Sequence, residues 1–169
     1  MDINGKKFLL VGGAGFIGSH TADLLIKQNV KEIVIYDNFA RGNIENLKGA
    51  LKDPRVKIFD VGGDILQTDI LEKAVSQCDG VFHFAALWLL HCHDYPRSAF
   101  ETNVAGTFNL LDICAKYKVE RIVFSSSASV YGDAIEQPMR EDHPFHNKTF
   151  YGATKIAGEA IIRAFYYCK

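Results

Sequence analysis

Residues 6–20 read KKFLLVGGAGFIGSH, and this stretch decides the fold. The apolar run from Lys6 to Val11 is typical of a buried strand, and the stretch from Phe16 to Gln28 carries apolar residues at helical spacing. The turn between them places glycine at Gly12, Gly15 and Gly18. Glycine suits a tight turn that lets the backbone approach a pyrophosphate and brings a helix close to a strand. Free N–H groups and the dipole at the helix start attract negative charge, so the stretch predicts a phosphate-binding unit.

Short runs rich in Val, Ile and Phe then alternate with longer stretches of helical spacing. Further strands are predicted at 32–36, 56–61, 80–84 and 121–124. Helices are predicted at 44–51, 66–76, 99–116 and 151–166. Strands that are each followed by a helix indicate a parallel sheet covered on both faces. Right-handed crossovers favour the α/β, doubly wound, Rossmann-type arrangement with strand order 3-2-1-4-5.

The last predicted helix ends close to residue 169, where a sixth strand would be expected in this arrangement. We therefore expect residues 1–169 to be one Rossmann-type domain, truncated before the last strands and before a substrate domain. No internal repeat or linker divides the chain.

Composition excludes several classes of partner. The formal net charge of -1 gives no basic field for nucleic acid or anionic lipid. No run approaches the ~18 apolar residues of a membrane span, and the first residues do not resemble a signal peptide. The four cysteines form no CxxC pair, and His91 and His93 around Cys92 are too few ligands for a structural metal site. These features predict a cytoplasmic protein that binds no metal, nucleic acid or membrane.

Asp37 closes the second predicted strand, 19 residues after Gly18. A carboxylate about 20 residues beyond a glycine turn accepts hydrogen bonds from the adenosine ribose and repels a 2′-phosphate. The spacing therefore favours NAD over NADP, although Arg41 in the next loop is the residue that would soften this preference. Asp64, after the third strand, is either an adenine contact or an ordinary turn aspartate.

A second group of polar residues lies further along the chain. Ser125–Ser127 end the fifth strand at its carboxyl edge, where open α/β sheets bind ligands. Tyr151 and Lys155 are four residues apart and share one helix face. A neighbouring ammonium favours the phenolate, the form that accepts a proton. The set predicts hydride transfer from a carbinol carbon to a nicotinamide, with the hydroxyl proton passing to Tyr151 and a serine hydroxyl bonded to the same oxygen.

Together these motifs resemble the extended short-chain dehydrogenase/reductase family, in its NAD-dependent epimerase/dehydratase group. GGAGFIGSH matches the family's GxxGxxG loop, YDNFARGN resembles the end of its second strand, and NVAGT matches a helix motif. The segment FSSSASVYG, residues 124–132, is similar to that of UDP-glucose 4-epimerases. The resemblance covers essentially the whole chain.

The resemblance implies a set of site residues. The catalytic group would be Ser127, Tyr151 and Lys155. The residues that contact NAD would be Gly12, Gly15, Phe16, Ile17, Gly18, Asp37, Asn38, Asp64, Ile65, Phe84, Ala85, Ala86, Asn103, Ser125, Tyr151 and Lys155. Within that set, Asn103 would brace the active site.

The implied activity is NAD-dependent epimerisation of a nucleotide-linked sugar, through hydride removal to a keto-sugar and its return. A dehydratase or dehydrogenase of the same family is the first alternative, and a non-catalytic NAD-sensing module is an alternative of another class. Trp88 stands where the 4-epimerases carry a lysine, which weakens UDP-galactose as the specific substrate. The resemblance also implies a homodimer through helices 99–116 and 151–166, whose apolar residues could instead belong to the core. We expect the 169-residue chain alone to turn over no sugar.

Overall fold

The computed structural model describes residues 1–168. The strands are Lys7–Val11 (β1), Glu32–Tyr36 (β2), Val56–Ile58 (β3), Gly80–His83 (β4) and Arg121–Phe124 (β5). The α-helices are Phe16–Leu25 (α1), Thr68–Val75 (α2), Leu89–Asp94 (α3), Pro96–Ala99 (α4), Gly106–Lys116 (α5) and Phe150–Cys168 (α6). Short 3-10 helices cover Ile44–Leu47, Ala50–Lys52 and Ala128–Val130, and a π-helix covers Phe100–Ala105.

All five strands form one parallel sheet in the order β3-β2-β1-β4-β5. The central strand β1 pairs with β2 from Lys7↔Glu32 to Val11↔Tyr36. It pairs with β4 on its other side, from Phe8↔Gly80 to Val11↔His83. The predicted Rossmann-type sheet and its strand order are confirmed.

The core is built on the alternation of side chains along the central strands. Phe8 and Leu10 belong to a buried cluster that includes Ile33 and Ile35 from β2 and Leu25 from α1. The intervening residues of β1, at positions 9 and 11, point to the opposite face and are also fully buried. Burial on both faces explains why this strand reads as a continuous apolar run in the sequence.

The chain divides into two compact units. The first comprises residues 1–85 and 112–125 and contains the whole sheet with α1 and α2. The second comprises residues 86–111 and 126–168 and is helical, with α3, α4, the π-helix and α6 packed against one another.

The helix predicted at 99–116 is present, but it begins earlier, at Pro96, and contains a π-helical stretch. Pro96 occupies the first turn of α4, the π-helix follows, and regular α-helix resumes only at Gly106. Proline has no N–H to continue a preceding helix, so α3 ends before it. The sequence analysis did not predict α3, whose six residues are too few to show a helical period.

The third strand is shorter than predicted, ending at Ile58 instead of residue 61. Two glycines follow, and Gly62 has a φ of +149°. At Gly63, an added Cβ would lie 2.0 Å from the carbonyl oxygen of Asp37, so the chain turns in against the end of β2. The segment predicted as a helix at 44–51 forms the first two 3-10 helices.

Candidate active site and cofactor loop

The turn between β1 and α1 requires glycine at two of its positions. Gly12 has a φ of +80°, and a Cβ added there would lie 2.5 Å from the backbone nitrogen of Ala85. A Cβ on Gly18 would lie 2.5 Å from the carbonyl oxygen of Gly12. Any larger residue would force the backbone apart. The glycine spacing therefore reflects the close approach of the turn, the helix and the chain that follows β4.

The amino end of α1 has the features of an anion site. Gly15 is its N-cap residue, and no side chain among residues 1–168 caps this helix. Phe16 and Ile17 in the first turn are 77% and 56% exposed. Their surroundings leave the N–H groups of the first turn available to a ligand, and the helix dipole favours a negative one. The turn therefore fits the pyrophosphate of a dinucleotide.

Asp37 links the end of β2 to this turn. One carboxylate oxygen accepts a hydrogen bond from the backbone N–H of Ala14 at 2.9 Å, and the other accepts one from the N–H of Phe39 at 2.9 Å. A Cβ on Gly42 would lie 2.7 Å from the same carboxylate. Each carboxylate oxygen can accept a further hydrogen bond, so a ribose hydroxyl could still be bound.

The other two polar residues predicted at the adenosine end have structural roles in turns. The side chain of Asn38 accepts a hydrogen bond from the N–H of Ala40 at 3.0 Å, and that of Asp64 accepts one from the N–H of Leu66 at 2.9 Å. The carbonyl of Asp64 also accepts the hydroxyl of Tyr36 at 2.8 Å. The alternative of an ordinary turn aspartate at position 64 therefore describes its observed contacts.

Residues after β4 and β5 continue the sheet at its carboxyl edge. The N–H groups of Phe84 and Ala85 both donate to the carbonyl of Val11, at 2.8 and 3.0 Å. The N–H of Ser125 donates to the carbonyl of His83 at 3.1 Å. These bonds fix the chain beside the glycine turn. Ile65 is buried at 3% exposure, and Ala86, which opens the second unit, is half-buried.

Tyr151 and Lys155 lie one turn apart on α6, in the second unit. The Nζ of Lys155 is 5.7 Å from the centre of the Tyr151 ring, and the lysine is only 4% exposed. Burial lowers the pKa of Lys155 to about 8, while the nearby Cys92 thiol acts in the opposite direction. The two side chains therefore lie side by side on one face of α6.

Ser127 begins the 3-10 helix Ala128–Val130 and caps it. Its Oγ accepts a hydrogen bond from the N–H of Ser129 at 3.1 Å, which fixes the side-chain orientation. The hydroxyl proton can then be donated to another acceptor. The hydroxyl of the preceding Ser126 donates to the carboxylate of Glu159 on α6.

Asn103 lies in the π-helix and is 3% exposed. Its side-chain oxygen accepts the N–H of Leu87 at 2.7 Å. Its amide group donates to the carbonyl of Leu87 at 3.0 Å and to the hydroxyl of Thr154 at 3.1 Å. Thr154 precedes Lys155, so these bonds tie the π-helix and the chain before α3 to the turn of α6 that carries the lysine.

Comparison with known proteins identifies the family. A family model described as GDP-mannose 4,6 dehydratase matches residues 9–168. The chain belongs to this family. It is also 36% identical, over 169 residues, to the bifunctional UDP-glucose 4-epimerase and UDP-xylose 4-epimerase 1 of Pisum sativum, covering 96% of this chain and 48% of that relative. The resemblance to the epimerase/dehydratase group is confirmed.

Solved structures agree with this placement in the GDP-mannose 4,6-dehydratase family. The UDP-glucose 4-epimerase of Brucella ovis, in complex with NAD, has a TM-score of 0.86 and 32% identity, covering 96% of this chain and 48% of that one. The dTDP-glucose 4,6-dehydratase of Streptomyces venezuelae, with NAD and TYD bound, has a TM-score of 0.89 and 31% identity, covering 96% and 52%. The chain spans about half the length of the curated relatives it matches.

The sequence did not predict one residue that lies beside the candidate catalytic group. Glu159 contacts the serine segment (residues 125–129) through Ser126, and the signal available for it was its position four residues after Lys155. Within residues 1–168, no group of three or more His, Cys, Asp or Glu side chains is placed to hold a metal ion. None of the helices in the described part of the chain is both long and apolar enough to cross a bilayer.

Proposed function

We propose that this chain supplies the NAD site and the proton-transfer groups of a nucleotide-sugar epimerase. The observation that carries the proposal is the buried Lys155 ammonium, 5.7 Å from the centre of the Tyr151 ring. Burial raises the free energy of a charged lysine, and such perturbed groups concentrate at functional sites. We assign this lysine the role of stabilising a phenolate at Tyr151. The glycine turn and Asp37 in the first unit support NAD as the cofactor, as does the NAD complex of the Brucella ovis relative.

NAD, when bound, supplies the chemistry of taking up a hydride from the sugar carbon and giving it back. Tyr151, as phenolate, accepts the proton of the sugar hydroxyl as the C–H bond breaks, so the carbinol becomes a ketone. Ser127 donates a hydrogen bond to the same sugar oxygen, and Lys155 stabilises the charge on Tyr151. Tyr151 returns its proton when the hydride is delivered to the opposite face of the ketone, which inverts the carbon.

The residues that would hold NAD divide by the part of the cofactor they serve. The phosphates are assigned to Gly12, Gly15, Phe16, Ile17 and Gly18, and the ribose to Asp37 and Asn38. The adenine is assigned to Asp64 and Ile65. The nicotinamide and its ribose are assigned to Phe84, Ala85, Ala86, Asn103, Ser125, Tyr151 and Lys155.

Two other functions use the same groups. A dehydratase is favoured by the family model and by the Streptomyces venezuelae dehydratase among the similar structures. A non-catalytic NAD sensor needs only the groups of the first unit, and the presence of both Tyr151 and Lys155 argues against it. Product mass distinguishes an epimerase from a dehydratase, because an epimer keeps the mass of its substrate and a dehydration product has lost water.

The test has two parts. The 169-residue chain is titrated with NAD by calorimetry and incubated with a panel of UDP-, GDP- and dTDP-sugars. We expect weak NAD binding and no turnover by this chain. In a chimera, residues 1–169 then replace the matching segment of the Pisum sativum relative. We expect this chimera to form an epimer of unchanged mass, and the Tyr151→Phe substitution to abolish that product. A folded, NAD-binding chimera that is inactive, or equally active with the Tyr151→Phe substitution, would refute the assignment.

We also propose that the protein forms a homodimer through residues 99–116 and 151–166. Phe108 and Phe165 contact each other, with ring centres 5.5 Å apart, and Phe108 remains 48% exposed. Phe100 and Tyr166 are 55% and 81% exposed. Aromatic side chains exposed together are typical of an interface. Light scattering should give twice the chain mass, and Phe108→Glu should reduce it to the monomer mass; a monomeric wild type contradicts the proposal.

A further inference from the structure

The serine segment that carries Ser127 is tied to α6 by a carboxylate. The hydroxyl of Ser126 donates a hydrogen bond to Glu159, joining positions 33 residues apart in the chain. Glu159 lies four residues after Lys155 and eight after Tyr151, so all three side chains share one face of the helix. Hydrogen bonds to a charged acceptor are stronger than those between neutral groups, which makes this contact a firm anchor.

The other end of the segment lies close to the backbone of α6. A Cβ added to Gly152 would lie only 2.4 Å from the carbonyl oxygen of Ser129. The backbone of the segment therefore lies directly against the first turn of α6, beside Tyr151. Gly152 is buried in this contact.

The two contacts define a direction. Gly152 and Glu159 are seven residues apart, about 10 Å along a helix. Ser126 and Ser129 are three residues apart, at most about 10 Å along an extended chain. The segment thus runs antiparallel to α6, and Ser127 lies between the two contacts, alongside the turns that carry Tyr151 and Lys155.

We propose that Glu159 is a positioning residue that acts through Ser126 to hold Ser127 at the level of Tyr151 and Lys155. The inference rests on the proposed function, in which Ser127 and Tyr151 act on one sugar oxygen. Without the carboxylate, the hydroxyl of Ser126 loses its partner on α6, and the Ser127 hydroxyl is no longer fixed relative to the phenol. A glutamine side chain at position 159 has the same length as glutamate and keeps an acceptor oxygen, so it can still accept the hydrogen bond from Ser126.

Nuclear magnetic resonance on the 169-residue chain tests this without turnover. The N–H of Ser129 is bonded to the Ser127 hydroxyl and that of Val130 to the Ser127 carbonyl, so their exchange with solvent reports on the segment. We expect Glu159→Ala to speed exchange at both by about tenfold or more. The ring carbon signals of Tyr151 should shift as well. Glu159→Gln should restore exchange and ring signals close to those of the wild type.

Ser126→Ala removes the other partner of the same bond and should reproduce the effect of Glu159→Ala. If the Glu159→Ala variant does not fold, Ser126→Ala still tests whether this hydrogen bond positions Ser127. Ser129→Ala is the control, because its hydroxyl has no hydrogen-bond partner among residues 1–168, and it should leave Val130 exchange unchanged. Exchange at Ile33, in the central sheet, measures global opening and should not change in any variant.

Unchanged exchange at Ser129 and Val130 with an unchanged Tyr151 signal, in both the Glu159→Ala and Ser126→Ala variants, would overturn the inference. A uniform increase that includes Ile33 would do so as well, because it would show general destabilisation. The proposed function fails separately, if the wild-type chain does not bind NAD. That result leaves the measured anchoring intact.

Discussion

Replacing Lys155 by Met tests how strongly the second unit disfavours its buried ammonium. Burial moves the pKa of Lys155 from 10.5 to about 8. A difference of that size corresponds to about 3 kcal/mol of free energy between the charged and neutral forms of the folded protein. Methionine has a similar length and no charge, so it removes the ionisation and keeps most of the packing.

The sign follows from counting protons. Below about pH 8 the lysine is protonated in the folded and unfolded chains alike, and the full cost of the buried charge is present. Between about pH 8 and 10.5 the folded chain has lost this proton and the unfolded chain keeps it. Because the unfolded chain then binds more protons, this lysine makes the free energy of unfolding rise with pH across that window. The K155M variant lacks the rise.

Urea denaturation followed by circular dichroism, at several pH values from about 7 to 10.5, measures the effect. The stability of K155M relative to the wild type should fall by about 3 kcal/mol across the window. Burial raises the pKa of Cys78 and Cys114 to about 12, which lowers stability above about pH 9, but both thiols are present in both proteins and cancel in the difference. Burial also raises the pKa of Cys92, and Lys155 opposes that rise, so removal of the lysine adds to the fall of K155M in the same direction. A difference that stays flat across the window would refute the reasoning.

Three further predictions concern named contacts. Gly12→Ala should lower the free energy of unfolding by about 1–3 kcal/mol more than Gly5→Ala, since both have positive φ but only Gly12 meets neighbouring backbone. Urea titrations compare them, and equal losses contradict the steric argument. Asp37→Ser should weaken NAD about tenfold and NADP less, measured by calorimetry; an unchanged NAD-to-NADP ratio contradicts the ribose assignment. Asn103→Ala should lower the free energy of unfolding in urea by about 3 kcal/mol, because the N–H of Leu87 loses its partner and the Leu87 carbonyl keeps only the Cys92 thiol; a loss below about 1 kcal/mol would show that other groups replace it.

The part of the fold that sequence could predict rests on local signals. The glycine turn and the run before it specify β1, the turn and α1 within 20 residues, and the structure shows the steric reason at Gly12 and Gly18. Strand order followed from handedness rules applied to alternating strands and helices, and it is confirmed. The placement of Tyr151 and Lys155 on one helix face could likewise be predicted, because residues four apart lie about one helical turn from each other.

The features that the sequence did not predict depend on contacts between residues far apart in the chain. No local signal predicts the π-helix inside the helix predicted at 99–116, and its Asn103 forms hydrogen bonds to residues 16 and 51 positions away. The depth of Lys155 in the protein has no local signature either. Lysine is usually exposed, and its 4% exposure here results from the elements packed around α6.

One helix face illustrates why the two kinds of information are complementary. Sequence spacing places Tyr151 and Lys155 together and would extend naturally to Glu159, yet a glutamate in the third turn of a helix reads as a solvated charge. Only the contact with Ser126 distinguishes it from such a charge. We infer that this contact orients Ser127, whose hydroxyl also accepts the N–H of Ser129. Under the proposed function, this face of α6 carries the proton acceptor Tyr151, the lysine that stabilises its charge and a glutamate that positions the serine beside them, and the Glu159→Ala and Glu159→Gln variants test the third role.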